Sequence, residues 1–396
     1  MLIRYKKGSG TLDAVARVYS REENGIDSAL VDRNAVNVIK KLNSAGYESY
    51  LVGGAVRDMI LGRQPKDFDV ATSASPRQVH KLFYNSRIIG RRFRLVHITF
   101  GKDIIEVSTF RSTKEHEVSN DNEYGTIEED CTRRDFTINS LYYDPVKETL
   151  IDFNNALDDF RDKKIVSLMP LNKTFVEDPV RMVRAVKYSV TTGFRIPLKL
   201  SMAIKHYAPH LEGVSTSRMT EEVNKILACG NSSQIFERLN SYKLLVYILP
   251  AISVYASFPQ MFESLKGLDQ KVNEAKEDPK KSVTKAEMYL SLVRPFISVD
   301  KSIESPMEIF NDILRQIKIL LSPITPPNYE IESAAALYMR ENGLKVPKGA
   351  IRHRNPDAPV QRTERKGSSV AGDGQESKKK KRRQRHKRVA KKETEA

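Results

Sequence analysis

The sequence predicts an α+β head, a mixed sheet with helices, followed by all-α domains and a disordered basic tail. Strand-like and helix-like runs alternate between residues 31 and 165, as expected for a head that mixes both elements. Later, strand signals fade and apolar residues recur at helical spacing. We divide the chain into an N-terminal extension (1–30), the head (31–165), a helical neck (166–255), a helical body (256–346) and a tail (347–396).

The positive charge is concentrated at the C-terminal end. Residues 351–396 contain 16 Lys and Arg against 6 Asp and Glu, so they carry +10 of the net +16. Such a balance points to a polyanionic partner. The alternative is a charged tail that serves only solubility.

Cysteine usage and hydropathy exclude several classes of protein. Cys131 and Cys229 lie far apart without ligand spacing, which argues against a disulfide framework and a zinc site. The longest apolar run, residues 244–258, is interrupted by Pro250 and is too short to span a bilayer. The opening "MLIRYKKGSG" lacks the apolar stretch of a secretion signal. We expect a cytoplasmic protein with no membrane partner.

The elements of the head follow from local patterns. Helices are predicted over 32–46, with Asp32 as N-cap and Gly46 at the end, over "AVRDMIL" and over "SPRQVHKLF". Strands are predicted over "YLV", "DFDVA", "LVHITF" and "DIIEVSTF", the last two forming a hairpin. A further helix begins after Asp178, the expected cap, and ends at Gly193.

Two aspartates follow a glycine pair in "LVGGAVRDMILGRQPKDFDVAT". Because side chains alternate along a strand, Asp67 and Asp69 are expected on one face. Two carboxylates pointing together repel unless a cation lies between them, and Mg²⁺ prefers such oxygen ligands. The glycine pair and Arg57 suit an anion such as a triphosphate. The alternative is a turn with two surface aspartates.

Five blocks in order carry a resemblance to a known family. They are the glycine–aspartate stretch above, "IIEVSTFR", "RRDFTINSLYYD", "EDPVRMVRAVKYS" and "VSTSRMTEEVNKIL". Together they resemble the class II nucleotidyltransferases that extend RNA 3′ ends without a template, which are the bacterial poly(A) polymerases and the CCA-adding tRNA nucleotidyltransferases. The resemblance runs from about residue 19 to 196 and continues more weakly into the helical region.

The resemblance implies a metal-dependent transfer reaction. Asp67 and Asp69 match the metal-binding pair, and Glu106, next but one to an Ile104 that we expect to be buried, matches the third strand carboxylate. Two Mg²⁺ ions would assist attack of an RNA 3′-hydroxyl on the α-phosphate, with release of pyrophosphate. Asp135 is a further candidate for the catalytic set, although it could instead cap the following helix.

The same resemblance implies a nucleotide-binding set. A carboxylate and a guanidinium can satisfy the Watson–Crick edge of a base, so the fourth block is the expected base-selecting motif. Its alternative is a capped helix with neighbouring surface charges. The expected nucleotide-binding residues are Gly53, Gly54, Arg57, Arg134, Glu177, Asp178, Arg181 and Arg184. The family usually has a glycine pair where Asn154 and Asn155 stand, which makes the flexible-loop role of that segment doubtful.

The stretch "IIGRRFRLVHITFG" favours the poly(A) polymerase branch, and Arg91, Arg92 and Arg94 would suit an RNA phosphate backbone. In the tail, Lys380, Arg382 and Arg383 would bind RNA without regard to sequence.

We therefore predict addition of AMP from ATP to RNA 3′ ends, promoting RNA turnover, with RNA-decay proteins as further partners. The alternatives are a CCA-adding enzyme, a non-catalytic RNA-binding protein on a transferase scaffold, and a small-molecule nucleotidyltransferase.

Overall fold

The head is built on a mixed sheet of nine strands in the part of the chain that the structure describes. The computed structural model describes residues 2–7, 12–90, 95–112, 124–256, 258–278, 280–300 and 302–352. The strands are β1 (Leu2–Lys7), β2 (Leu12–Tyr19), β3 (Ser49–Val52), β4 (Asp69–Thr72), β5 (Ser86–Ile89), β6 (Leu95–Phe100), β7 (Asp103–Thr109), β8 (Tyr142–Asp144) and β9 (Thr149–Asp152).

The strand order is β1-β2-β9-β8-β3-β4-β7-β6-β5. Only β4 and β7 pair in parallel among the described strands, with Asp69 opposite Glu106. The predicted hairpin of β6 and β7 is confirmed, with a turn at Gly101 and Lys102. Strands β5, β8 and β9 were not predicted, and neither were β1 and β2, which extend the sheet beyond β9.

The α-helices that accompany the sheet in the described residues are α1 (Arg21–Asn24), α2 (Arg33–Ser44), α3 (Gly54–Ile60), α4 (Pro76–Leu82), α5 (Ile127–Thr132) and α6 (Ala156–Arg161). The predicted cap of α2 is confirmed, because the Asp32 side chain accepts a hydrogen bond of 3.0 Å from the Ala35 amide. The apolar stripe of α2, represented by Val38 and Leu42, is fully buried against the sheet.

After β9 the described chain is mostly helical, as predicted. The α-helices are α7 (Leu171–Glu177), α8 (Val180–Thr192), α9 (Leu198–Tyr207), α10 (Thr216–Leu227), α11 (Ser232–Ser241), α12 (Leu245–Ile248), α13 (Pro250–Val254), α14 (Pro259–Glu277), α15 (Lys285–Val293), α16 (Pro306–Leu321) and α17 (Asn328–Glu341). Short 3₁₀ helices cover Ser28–Leu30, Thr137–Asn139, Ala208–Gly213 and Arg294–Phe296. No described helix is long and apolar enough to cross a membrane.

Two local expectations are corrected. Strand β4 begins at Asp69, so Asp67 precedes the strand instead of lying in it. Helix α8 begins at Val180 with Pro179 as N-cap, and the side chain of Asp178 does not cap it. The residues predicted to bind RNA, namely Arg91, Arg92, Arg94, Lys380, Arg382 and Arg383, lie outside the described residues.

Candidate active site

The carboxylates Asp69 and Glu106 lie side by side on the open face of the sheet. They are register partners on the parallel strands β4 and β7. Phe68 is buried in the core, so the flanking Asp67 and Asp69 project away from that core, as alternation predicts. Ile104 is 47% exposed, so the expectation that it is buried is wrong; it shares the open face with Glu106.

The electrostatics of Asp69 are unbalanced. Burial and the nearby negative charges of Glu106 and Asp67 raise the pKa of the Asp69 carboxyl to about 6, although Arg134 and Lys225 act in the opposite direction. The charged form of Asp69 is therefore held at an energetic cost. A divalent cation would relieve this repulsion, so the chemistry of Asp67 and Asp69 fits a hard metal ion.

Glu106 has a protein partner that would compete with a metal ion. The Nε2 atom of His97, its register neighbour on β6, lies 3.2 Å from Glu106 Oε1. Within the described residues, no group of three or more His, Cys, Asp or Glu side chains is arranged to hold a metal ion. The role of Glu106 as a third metal ligand stays a prediction.

A glycine turn opens space beside Asp69. Gly53 follows β3 with φ 71°, a left-handed conformation that favours glycine. A Cβ atom there would lie 3.6 Å from Asp69 Oδ2 and 3.8 Å from the Arg134 guanidinium. The turn brings Gly53, Asp69 and Arg134 together around one space.

Arg134 is oriented by a buried network. Its guanidinium donates to Asp130 at 2.9 Å and to the Tyr142 hydroxyl at 3.1 Å. The Tyr142 hydroxyl in turn donates to Asp130 at 2.6 Å. Burial opposes the charge of Arg134, but Tyr142 and Asp130 raise the pKa of the guanidinium above its usual value. Arg134 thus remains a fixed cation next to Asp69.

Arg57 is also held in place. It donates to Asp58 at 2.9 Å and to Asn139 Oδ1 at 3.1 Å. Its guanidinium lies 5.0 Å from the centre of the Tyr188 ring. Through Asn139, which donates to Asp135 at 3.0 Å, Arg57 is connected to the next block.

Asp135 pairs with an arginine of the neck. One oxygen accepts from the Phe136 amide at 2.8 Å and the other lies 2.9 Å from Arg184. Although burial alone would raise it, the charge of Arg184 and these hydrogen bonds lower the pKa of the Asp135 carboxyl. The structure therefore gathers Asp135 with Arg184 and Asn139, while Asp69 lies with Glu106 and Asp67.

The predicted base-selecting residues meet between α7, α8 and α10. Asp178 accepts two hydrogen bonds of 2.9 Å from Arg218 on α10. Arg181 lies 3.9 Å from Asp178 and donates to Thr174 at 2.8 Å. Glu177 is exposed at the end of α7.

The sequence analysis missed two basic residues on α10. Arg218 is the partner of Asp178, and Lys225 acts electrostatically on Asp69. Lys66, just before Asp67, donates to the Ala228 carbonyl at 3.3 Å, which brings the end of α10 to the aspartate loop. The only signal in the sequence is their place in the fifth block.

The segment with Asn154 and Asn155 forms an ordered turn. Asn155 adopts φ 54°, a conformation that Asn tolerates better than most residues. This explains how the chain replaces a glycine pair. Asp152 accepts hydrogen bonds from the amides of Asn154 and Ala156, which fixes the turn.

Two segments of the chain match known protein families. Residues 49–166 match the family model "Poly A polymerase head domain". This part of the chain is thus similar to poly(A) polymerases, and curated relatives of the chain include bacterial poly(A) polymerase I and CCA-adding enzymes. Residues 193–255 match the family model "Probable RNA and SrmB- binding site of polymerase A".

Individual relatives come from both branches of the family. Poly(A) polymerase I of Salmonella typhi is 42% identical over 260 residues, which are 61% of this chain and 56% of the relative. A CCA-adding enzyme of Geobacillus thermodenitrificans is 35% identical over 220 residues, 54% of each chain. The chain thus spans little more than half the length of these relatives.

A crystal structure of the Bacillus stearothermophilus CCA-adding enzyme in complex with CTP has the same fold. It matches with a TM-score of 0.51 and 25% identity, over 79% of this chain and 83% of that one.

Proposed function

We propose that this protein is a poly(A) polymerase that adds AMP from ATP to RNA 3′ ends without a template. The observation that carries the proposal is the electrostatically unbalanced Asp69, which lies with Asp67 and Glu106 beside the Gly53 turn in a poly(A) polymerase head domain. In this arrangement the carboxylates repel one another at the place where a cation and a triphosphate would bind.

The reaction is an in-line displacement at phosphorus. The 3′-hydroxyl oxygen of RNA forms a bond to the α-phosphorus of ATP while the bond from that phosphorus to the β-phosphate oxygen breaks. The hydroxyl proton is released to solvent and pyrophosphate leaves. Mg²⁺ held by Asp67 and Asp69, in two ions if Glu106 also takes part, would stabilise charge on the attacking and leaving oxygens.

The chain's own cations position the triphosphate. Arg134 is fixed by Asp130 and Tyr142, and Arg57 by Asp58 and Asn139, so neither guanidinium must reorganise when a phosphate arrives. Gly53 lets the phosphates approach Arg134, because any Cβ at this position would occupy the space next to that guanidinium.

Base choice is assigned to Asp178 and Arg181, with Arg184 and Glu177 beside them. Asp178 does not cap α8; both of its carboxylate oxygens accept from Arg218, and a carboxylate has further lone pairs with which to accept from a base. Arg181 is anchored by Thr174. A rigid acceptor and donor can read the edge of a base in place of a template.

RNA is assigned to the neck and the tail. On α9, Lys199, Lys205 and His206 are exposed beside Leu198, which is 75% exposed. The helix lies in the segment that matches the RNA-binding family model. Basic groups next to apolar surface suit a single strand that offers both phosphates and bases. The tail residues Lys380, Arg382 and Arg383 add sequence-independent attraction.

The poly(A) branch is favoured over the CCA-adding branch because the similarity to poly(A) polymerase I is higher and extends further, 42% over 260 residues against 35% over 220. We assign the enzyme to the bacterial cytoplasm, a role in RNA turnover and association with RNA-decay proteins as parts of the same proposal.

The test is a primer-extension assay. The purified protein receives an unstructured RNA primer with Mg²⁺ and each of the four nucleotides in turn. We expect many A residues to be added with ATP and little product with CTP. Addition of two C and one A to a tRNA lacking its 3′ end, with the unstructured primer ignored, would assign the protein to the CCA-adding branch instead.

A further inference from the structure

We propose that a groove on the head, between α2 and the end of α4, binds a nucleobase of the single-stranded RNA upstream of the growing 3′ end. The groove has a volume of about 410 Å³, within the range of about 300–1,000 Å³ typical of small-molecule sites. It is separate from the nucleotide-binding residues described above. The inference rests on the proposed function, since it concerns the RNA substrate of that reaction.

The groove combines an aromatic floor with fixed polar groups. Phe83 and Phe100 line it, and Phe83 is 5% exposed. Asn85 lies at one side, held by a hydrogen bond of 2.7 Å from its Nδ2 atom to the Thr99 carbonyl. A flat apolar floor beside a fixed amide suits a base, which offers both a π-face and a polar edge.

Tyr84 gives the groove an unusual rim. It directly follows buried Phe83, yet its side chain is 97% exposed. An aromatic ring held in water contributes nothing to the core. A ring at this position can stack on a base, and such stacking tolerates any sequence because every base has a π-face.

The charge around the groove matches a nucleic-acid backbone. The Lys41 ammonium lies 4.7 Å from the centre of the Phe83 ring, at the groove itself. Lys40, Lys81 and Lys102 are exposed on the surrounding elements. None of these four lysines forms an ion pair with any residue in the described ranges, and Asp103 is the acidic side chain at the adjoining turn.

The position of the groove relative to the carboxylates fits an RNA strand. Strand β7 begins at Asp103, three residues before Glu106, and the groove includes Gly101 in the turn before it. From Glu106 back to Gly101 is five residues, about 16 Å at about 3.3 Å per residue. Because β4 starts opposite Glu106, the turn extends past the sheet end that carries Asp69. Val38 and Phe83 of the groove belong to the core on the other face of the sheet from Asp69 and Glu106, so an RNA with its 3′ end at Asp69 would pass around the turn at Gly101 and Lys102 to reach the groove.

The experiment measures extension of oligoadenylate primers of 3, 6, 9 and 15 nucleotides by Tyr84→Ala and Lys41→Ala. The matched controls are Tyr84→Phe, which keeps the ring, and Lys266→Ala, which removes an exposed lysine on α14 that does not line the groove. For both test variants we expect the KM for the longer primers to rise about fivefold or more, with the KM for ATP and kcat unchanged. The penalty should be absent for the shortest primer, and both controls should behave like the wild type.

Other outcomes overturn the inference. A penalty that is independent of primer length, or a raised KM for ATP, would assign the groove to free nucleotide or to general electrostatics. Equal penalties for Tyr84→Phe and Tyr84→Ala would exclude stacking. If the wild type extends no primer, the proposed function fails by itself. The groove is then judged by fluorescence anisotropy with labelled 15-nucleotide RNA, where equal affinities of wild type and Tyr84→Ala overturn it.

Discussion

The carboxylates beside the Gly53 turn and those in contact with the neck are held in opposite ways. Asp135 of the head pairs with Arg184 of the neck, Asp178 pairs with Arg218, and buried Glu222 lies 2.7 Å from Lys187. Beside the Gly53 turn, Asp69 lies near other carboxylates, and burial and these charges raise its pKa to about 6. Whereas the pKa of Asp135 is lowered by its partner, that of Asp69 is raised by its neighbours.

This difference separates carboxylates that already have a cationic partner in the free protein from a carboxylate that lacks one among the described residues. A paired carboxylate holds helices in register and is satisfied without a ligand. A carboxylate that is repelled by its neighbours would be stabilised by a bound cation. Such unbalanced carboxylates are typical of functional sites. The contrast suggests that substitutions in the two regions should have opposite effects on activity and stability.

The largest expected effect is on catalysis by the head. Asp69→Asn should lower kcat for primer extension by about a thousandfold or more, because a metal ion contributes several kcal/mol to the transition state. Asp103→Asn, an exposed carboxylate at the same end of the sheet, is the control and should remain active. Near-normal turnover of Asp69→Asn in Mg²⁺ would contradict the metal-binding role.

Breaking the ion pair between Asp135 of the head and Arg184 of the neck should lower the stability of the fold. Asp135→Asn leaves Arg184 without its partner and should lower the free energy of unfolding by about 3 kcal/mol, the lower end for a buried pair, because Arg184 retains some solvent contact. Since the pKa of Asp135 is lowered in the fold, this stabilisation is present at neutral pH and is lost as the pH falls below about 4. Urea denaturation measures it, with exposed Glu177→Gln as control. A loss equal to that of the control would show that the pair is not important for stability.

Base selectivity should change by an intermediate amount. Arg181→Ala removes a donor from the proposed base pocket and should reduce the preference for ATP over CTP by roughly ten- to a hundredfold, as expected for about 1–3 kcal/mol. The ratio of the two kcat/KM values measures it. Arg161→Ala, an exposed arginine on α6, should leave the ratio unchanged, and the same ratio in Arg181→Ala would remove Arg181 from base selection.

The smallest expected effect is on the pH dependence of stability, which should differ between the wild type and Asp69→Asn. Because the folded pKa of Asp69 is raised, the wild type loses stability as the pH rises from about 4 to 6, where the folded state would bind the proton more tightly than the unfolded one. Without metal, Asp69→Asn should therefore be more stable than the wild type by about 1–2 kcal/mol above pH 6, and equally stable below pH 4. Thermal melts in EDTA test this, and parallel pH curves for the two proteins would contradict it.

Much of the head could be predicted because its signals are local. The cap at Asp32, the left-handed Gly53 and the outward direction of Asp67 and Asp69 depend on residues within one turn or strand. The hairpin of β6 and β7 likewise needs only two neighbouring segments. The five blocks also carried the resemblance to a family, because their order and spacing can be seen in the sequence itself.

The neck was harder to predict because its partners are distant in sequence. Asp178 looked like a helix cap, but its carboxylate is taken by Arg218, forty residues later. Asp135 could have served in catalysis or in capping, and its contact with Arg184 depends on how α8 packs against the head. Lys225 carried no local signal at all, since only the packing of α10 brings its charge near Asp69.

The sequence by itself determined the resemblance to a family, the central strands β3, β4, β6 and β7 with helices α2, α3 and α4, and the pair Asp67 and Asp69, since these follow from periodicity and spacing. Tertiary structure alone decided which charges are paired and which are left to repel. The physical reason is that a pKa depends on burial and on every charge nearby, whatever its position in the chain. Asp69 and Asp135 are the same residue type, and only their surroundings give them opposite properties.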